Sequence, residues 1–322
     1  MTTSRIIRWL AAVALTAAHV GAFAQDFPTR PVTLVAPFPA GSVTDSVSRA
    51  LAQAMQESLG QPVVVDNKAG AQGTIGAAFV ANSKPDGYTL LVGSSVMFVA
   101  KSLFKTLPYE PVDGFQPVAG IGSTSMMFMV KDSSAYKSIA DVTNAARSGR
   151  EPVTIAYGSP SGQVALALFS NAAGVKPVGV SYKGIPQALT DLAGGHVSVA
   201  IVDIGSGVTQ MKSGGMRALA ISAQARSTAA PDVPTLAESL RGAEISLETI
   251  IAIMAPAKTP PAVVERLEKA IRAALAKPEM RTRLAGVSIT PLPITAIEVT
   301  QRLKTDNPRW EGLIKAAGIE PQ

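Results

Sequence analysis

Short strand-like runs alternate with helical runs along this chain, and the alternation limits the folds it can adopt. The run 31–36 is rich in Val and Leu, which favours a strand, and the stretch from Pro37 to Gly41 ends it. Apolar residues then recur every three or four positions up to residue 59, which predicts a helix. Strands separated by helical crossovers of about 10–15 residues indicate parallel sheets with helices on both faces.

The same alternation continues through the middle of the chain, and the C-terminal region is predicted to be largely helical. Further strands are predicted at 62–66, 88–92, 126–130, 153–156, 178–181, 197–202 and 216–222. Further helices are predicted at 76–81, 139–148, 164–173, 186–193, 260–276 and 278–284, and from 295 with an interruption at Pro308. We expect an α/β fold of two lobes, residues 25–120 plus 225–322 and residues 121–224, each a mostly parallel sheet flanked by helices. Ligands of such sheets bind at the carboxyl ends of the strands, here in the cleft between the lobes.

The first 24 residues have the pattern of a secretory signal peptide. Arg5 and Arg8 precede an apolar stretch at 9–20, which is shorter than the ~20 residues of a membrane span, and Ala22-Phe23-Ala24 supplies small residues for cleavage. We therefore predict cleavage near Ala24 and a mature protein in the periplasm. A retained N-terminal anchor is the alternative. Cleavage removes two of the 29 basic residues, so that 27 remain against 23 acidic ones and the net charge falls from +6 to +4.

The chain has no cysteine, which excludes disulfides, thiolate metal sites, cysteine nucleophiles and a lipidated cysteine. His196 is the histidine that follows the signal peptide, and its place after Gly194-Gly195 predicts a surface cap at a helix end. Carboxylates form no tight cluster, so we expect neither a metal nor a cofactor. Basic residues are scattered and not interleaved with aromatics, so we expect no nucleic-acid partner. We expect a monomer.

Fragments of catalytic motifs occur without the residues that make them work. Ser102 with Lys105 and Ser134 with Lys137 fit S-x-x-K, but the companion S-D-N and K-T-G elements are absent. Residues 158–162 resemble a nucleophile elbow, but proline stands at its centre. Neither nucleotide-binding glycine fingerprint occurs. We therefore do not expect an enzyme, and a secreted hydrolase or lyase on the same fold remains the alternative.

Three loops are predicted to face the cleft, at 38–45, 93–95 and 157–163. None of them contains a lysine or an arginine. They offer backbone N–H groups, hydroxyls and helix N-termini, which bind a small carboxylate without a formal cation.

Eight blocks of sequence resemble one known family. They are PVTLVAPFPAG at 31–41 followed by Asp45 and Arg49, VVVDNKAGA at 63–71, PDGYTLL at 85–91, FQPVA at 115–119, VSYKG at 180–184, GGMRALA at 214–220, PDVPTLAE at 231–238 and APAKTP at 255–260. In order and spacing the chain resembles the Bug-type periplasmic solute receptors of tripartite tricarboxylate transporters. The resemblance implies a Venus-flytrap, type II-like receptor that closes on a small organic acid and delivers it to a separate membrane permease. A receptor that signals to a membrane partner is a further alternative.

The resemblance also implies which residues hold the ligand. The first jaw comprises Phe38, Ala40, Gly41, Ser42 and Asp45 with Ser94 and Ser95, and the second comprises Ser159, Ser161, Gly162 and Gln163, with Asp203 completing the cleft. For each there is a structural alternative: Asp45 can form a helix ion pair with Arg49, and the serines can be helix caps. An Asp45 or Asp203 that faces the ligand would favour an ammonium or hydroxyl group beside the ligand's carboxylate.

Three positions depart from the family pattern. Ser42 stands where a second glycine is usual, Gln163 about where a histidine is usual, and Ile250 near a usual tryptophan. Ser42 adds a hydroxyl but restricts φ, whereas the change at Ile250 is more simply a repacked core if its strand is buried. Dicarboxylates, tricarboxylates, amino acids and aromatic acids all remain open as ligands.

Overall fold

The computed structural model of the chain describes residues 27–240, 245–316 and 320–321. The predicted signal peptide at 1–24 lies outside these ranges and stays a prediction. Among the described residues, no helix combines the length and apolar character needed to cross a bilayer.

Strands and helices alternate along most of the described chain. The strands are β1 Val32–Ala36, β2 Val63–Asn67, β3 Thr89–Ser94, β4 Phe115–Lys131, β5 Thr154–Tyr157, β6 Val178–Ser181, β7 Val199–Asp203, β8 Met216–Ile221, β9 Glu248–Pro256 and β10 Thr290–Pro291. The α-helices are α1 Val43–Leu59, α2 Thr74–Ala81, α3 Ile139–Ser148, α4 Pro160–Ala173, α5 Ile185–Gly194, α6 Ile204–Ser213, α7 Leu236–Ser239, α8 Pro261–Ala276, α9 Pro278–Gly286 and α10 Ala296–Ala316. Ala71–Gly73 and Ser95–Ser102 form 3₁₀ helices.

The strands form two connected sheets, one in each lobe, with the order β2-β1-β3-β9-β4-β7-β5-β6. β1 runs parallel to β2 and β3, and β5 runs parallel to β6 and β7, as the crossovers predict. Nearer the junction, β4 and β9 pair antiparallel with their neighbours, which makes both sheets mixed. The predicted two-lobed α/β fold is confirmed.

Strand β4 belongs to both sheets. Its residues from Phe115 to Ser125 pair with β9 in the first lobe, and those from Met126 to Lys131 pair with β7 and β8 in the second. The sequence predicted a strand only over 126–130, because Pro and Gly residues interrupt the preceding apolar pattern. The structure accommodates that segment with irregular register between Pro117 and Gly122. The bounds of β9 were not predicted either, since no element was assigned between the strand at 216–222 and the helix that begins at 260.

Each lobe has its own buried core, and α10 packs against both. The first lobe has two buried clusters. One contains Leu51 and Leu267, and the other contains Val299 and Leu303 of α10. A cluster in the second lobe contains Phe128. That second-lobe cluster also contains Leu236, Leu247, Trp310 and Ile314. The interruption predicted at Pro308 is not observed: α10 continues through that residue. The lobe limits at residues 120 and 224 stay predictions.

Ser222 ties together the two chain segments that pass between the lobes. Its Oγ accepts a hydrogen bond from Met126 N at 2.8 Å and donates one to Leu247 O at 2.8 Å. Its backbone N–H donates to Met126 O, and its carbonyl accepts from Leu247 N. The side chain is fully buried, so no water replaces these partners.

We expect Ser222→Ala to lower the free energy of unfolding by about 1–3 kcal/mol, because it leaves a buried N–H and a buried carbonyl without partners. Urea denaturation measures the change. Ser213→Ala is the matched control, since the Ser213 hydroxyl is exposed and bonds only within its own helix. It should change stability by no more than about 0.5 kcal/mol. Equal effects of the two variants would contradict the role given to Ser222.

Candidate functional site

The lobes enclose a cavity of about 60 Å³, room for four to six water-sized groups. Six of the twelve predicted site residues lie on its wall: Phe38, Ser42, Ser94, Ser159, Ser161 and Asp203. They come from both lobes and from four separate loops, which the fold brings together at the carboxyl ends of β1, β3, β5 and β7. Among the described residues that line this cavity, Asp203 is the one acidic side chain, and none is a lysine or an arginine.

Two helices point their N-termini at this cavity from opposite lobes. Ser42 caps α1, its Oγ accepting from Asp45 N at 3.2 Å, and Ser159 caps α4, its Oγ accepting from Gly162 N at 3.2 Å. Both loops end in a cap residue followed by the first turn, where intrahelical bonding leaves N–H groups without acceptors. In the described chain, the N–H groups of Thr44 and Ser161 have no protein acceptor. The two N-termini together favour an anion in the cavity.

Asp203 brings a carboxyl group to the same cavity. It caps α6, and its oxygens accept from Ser206 N at 2.8 Å and from Ser206 Oγ at 3.0 Å. Burial raises the pKa of Asp203, and the hydrogen bonds from Ser206 partly offset that effect. The N-terminus of α6 is therefore already capped by a side chain of the protein. Asp203 can accept a hydrogen bond from a ligand hydroxyl or ammonium group.

Asp45 lies behind the cavity wall and holds the loop that carries Phe38. Its Oδ2 accepts from Gly41 N at 3.0 Å and Arg49 Nε at 3.1 Å, and its Oδ1 accepts from Asn67 Nδ2 at 2.9 Å. The same Asn67 amide donates to Phe38 O at 3.1 Å. The ion pair with Arg49 at 2.9 Å is the one that the i,i+4 spacing predicts. Asp45 thus has a positioning role, and its direct contact with a ligand stays a prediction.

The remaining predicted residues also lie outside the cavity wall. Ser95 Oγ accepts from Ile250 N at 3.1 Å, which pins the 3₁₀ helix after β3 to β9, and Ile250 is buried in a first-lobe core cluster. The side chain of Ala40 is exposed to solvent. The backbone N–H of Gly162 donates to the cap hydroxyl of Ser159. Gln163 is buried and accepts a hydrogen bond from across the cleft. Their contacts with a ligand stay predictions.

Two hydroxyls of the site were missed by sequence reasoning, because they lie on strand segments that were not predicted. Thr124 of β4 and Thr249 of β9 line the cavity between the lobes. Thr249 Oγ1 donates to Thr124 O at 3.4 Å. Thr124 Oγ1 is buried and has no hydrogen-bond partner in the described chain. A buried hydroxyl without a partner is costly, so Thr124 is a candidate ligand contact.

Close contacts hold the lobes together beside the cavity. A Cβ placed on Gly184 would lie 2.6 Å from Pro39 Cδ, and one on Gly205 would lie 2.0 Å from Val287 O. Gly184 and Gly205 lie in the second lobe and their neighbours in the first. At both positions the second-lobe backbone approaches the first lobe too closely to admit a side chain, so the arrangement described is closed.

We expect Gly205→Ala to hold the lobes further apart, because the added methyl group meets a backbone carbonyl that cannot move aside. Small-angle X-ray scattering should give a larger radius of gyration than for the parent protein. Alanine is otherwise the better helix former, so α6 itself should remain folded. Gly286→Ala is the control, since no atom lies within 4 Å of its added Cβ. An unchanged radius of gyration in Gly205→Ala would contradict this closed geometry.

We expect Asp45→Asn to destabilise the protein at pH 7 by about 1–3 kcal/mol, because three hydrogen-bond donors lose a charged acceptor that is itself buried. Burial raises the pKa of Asp45, but the hydrogen bonds from Arg49, Gly41 and Asn67 outweigh it, so the pKa lies below its usual value. The stabilisation is therefore present above about pH 4, the pKa of an unfolded aspartate, and is lost as the pH falls through the lower folded value. Urea denaturation at pH 7 and pH 3 should show the parent and variant converging at low pH. A constant difference would contradict the assignment.

Histidine and acidic side chains are dispersed in the part of the chain that the structure describes. His196 is exposed at the end of α5, where its N–H donates to Asp191 O as a helix cap, as the sequence predicts. Across residues 27–240, 245–316 and 320–321, no three acidic or histidine side chains converge as a metal site requires.

Comparison with known proteins identifies the family. Residues 47–319 match the family model described as "Tripartite tricarboxylate transporter family receptor". The structure is similar to that of the periplasmic binding protein BugD, with 32% sequence identity, a TM-score of 0.86, and coverage of 92% of this chain and 100% of that one. It is also similar to MatC from Rhodopseudomonas palustris with bound malate, at 31% identity and a TM-score of 0.84 over 89% of this chain and 100% of that one.

A third similar structure is that of an R. palustris protein with adipate, at 30% identity and a TM-score of 0.86 over 92% of this chain and 100% of that one. The resemblance predicted from the sequence blocks is therefore confirmed. With its two-lobed fold and interlobe cavity, this chain belongs to the Bug-type receptor family of tripartite tricarboxylate transporters.

Proposed function

We propose that this protein is an extracytoplasmic solute receptor that binds a small organic acid between its lobes and delivers it to a tripartite tricarboxylate transporter permease. After removal of the signal peptide it acts in the periplasm as a monomer. It carries the ligand without changing it. Family membership supports the receptor class, and the cavity supports the chemistry of the ligand.

The observation that carries the proposal is the pair of helix N-termini that face one cavity from opposite lobes. The caps Ser42 and Ser159 belong to helices of 17 and 14 residues, long enough for their dipoles to favour an anion. A carboxylate placed between them receives backbone N–H groups from both lobes at once. Such a ligand binds the closed form better than the open form, and therefore shifts the population toward closure.

Asp203 narrows the class of ligand. A simple anion gains nothing from a buried carboxylate on the cavity wall, whereas a ligand hydroxyl or ammonium group donates to it. The unpaired hydroxyl of Thr124 offers a further polar contact. We therefore propose a small carboxylate that also carries a hydroxyl or ammonium group. The similar structure with bound malate, a hydroxydicarboxylate, is consistent with this choice.

We expect the protein to bind malate more tightly than succinate, which differs from malate by one hydroxyl group. Asp203→Asn should reduce that preference by about tenfold or more, because a hydrogen bond to a charged acceptor is lost. Asparagine also caps helices well, so α6 should remain intact. Isothermal titration calorimetry with malate, succinate, aspartate and adipate measures the affinities.

A matched control is Asp191→Asn, a carboxylate outside the cavity wall that accepts a hydrogen bond from Tyr182. It should leave the malate-to-succinate ratio unchanged. A ratio unaffected by Asp203→Asn would contradict the ligand class, and no affinity for any of the four acids would contradict carboxylate binding by this cavity.

Recovery of a chemically altered acid after incubation would establish the hydrolase or lyase alternative. Co-purification with a sensor ectodomain in place of a permease would establish the signalling alternative.

A further inference from the structure

The turn after β2 contains a backbone conformation that a residue with a side chain rarely adopts. Ala71 and Gln72 have φ values of 43° and 52°, in the left-handed region that favours glycine. Nevertheless, Gln72 is buried, with 3% of its surface exposed. A strained, buried glutamine is maintained only where the surrounding structure favours it.

The Gln72 side chain reaches across the cleft to the second lobe. Its Nε2 donates to Gln163 Oε1 at 3.1 Å and to Ser181 Oγ at 3.4 Å. Gln163 lies in the first turn of α4, whose cap lines the cavity, and Ser181 ends β6. The neighbouring Gly73 packs against Phe38, since a Cβ there would lie 3.2 Å from Phe38 Cζ. The turn therefore contacts the cavity wall of one lobe and the side chains of the other.

The same amide is incompletely satisfied in the closed form. Gln72 Oε1 is buried and has no hydrogen-bond partner among the described residues. Reversing the amide changes which of its two polar atoms faces Gln163 and Ser181, but the other atom then lacks a partner. In an open form both atoms are free to bond to water. The two cross-cleft hydrogen bonds therefore favour closure, while the unpaired atom opposes it.

We infer that Gln72 is a positioning residue that sets the balance between the open and closed forms through its hydrogen bonds to Gln163 and Ser181. The inference deepens the proposed receptor function and rests on it, because closure is how the receptor retains its ligand. The opposing contributions keep the empty protein from closing too firmly. The cross-cleft bonds still add to the closure that a ligand induces.

The test measures the distance between the lobes in the ligand-free protein. Because the chain has no cysteine, Gln56→Cys on α1 and Ala172→Cys on α4 introduce two exposed labelling sites, one in each lobe, without a background thiol. Spin labels at these sites report the distribution of interlobe distances. Gln72→Gly accommodates the left-handed backbone and removes the bonds. It should lower the closed-to-open ratio about threefold to tenfold, because the closed form loses both cross-cleft bonds and leaves the buried Gln163 Oε1 without its donor.

Gln72→Asn distinguishes the effect of losing the side-chain hydrogen bonds from the effect of a more flexible backbone. Asparagine tolerates the left-handed region and keeps the turn stiffer than glycine does, but it is too short to bridge the cleft. Both variants should open the protein to a similar extent. Opening by Gln72→Gly alone would mean that a loosened turn is responsible, and would overturn the inference.

A double-mutant comparison tests the named partners. In a protein that already carries Gln163→Ala and Ser181→Ala, Gln72→Gly should no longer lower the closed-to-open ratio. An undiminished effect in that background, or unchanged distances in the single variant, would overturn the inference. The measurement needs no ligand, so a failure to bind carboxylates would refute the proposed function and leave this result intact.

Discussion

One continuous strand belongs to the sheets of both lobes and joins them. β4 is hydrogen-bonded into the first sheet over Phe115 to Ser125 and into the second from Met126 onward. Ser222 bonds to that strand and to the segment that returns to the first lobe, so both crossings are fixed at the same point. The loops at the ends of the other strands consequently face each other across a cleft of defined geometry.

The proposed anion site has no lysine or arginine among the described residues of its wall. Helix N-termini of α1 and α4 supply the N–H groups, and their caps keep the first turns in place. Asp45 contributes from behind the wall, since its bonds to Gly41, Arg49 and Asn67 fix the loop that precedes α1. Backbone donors have no rotamers to order on binding, so a site of this kind depends on the accuracy of its loops.

Much of this arrangement could be predicted from the sequence, and the failures share a physical cause. The helix that ends at residue 59 was predicted from its local apolar repeat, and the structure shows Ser42 and Gly60 capping that same helix. β4 was largely missed because proline and glycine interrupt its apolar pattern, and both β4 and β9 are held by pairing with strands far away in the chain. Thr124 and Thr249 were missed with them. The interruption predicted at Pro308 failed because packing against both lobes outweighs the local cost of a proline.

The sequence by itself determined the α/β alternation, the absence of cysteine chemistry, the loops without basic residues and the family, since each depends on local pattern or composition. Only the tertiary structure decided which predicted residues line the cavity and which support it. Asp203 and Asp45 both follow a strand and begin a helix, yet one faces the cavity and the other is bonded behind it. The same holds for Gln72, whose partners lie 91 and 109 residues away. Such contacts join residues of different lobes, and no local pattern encodes them.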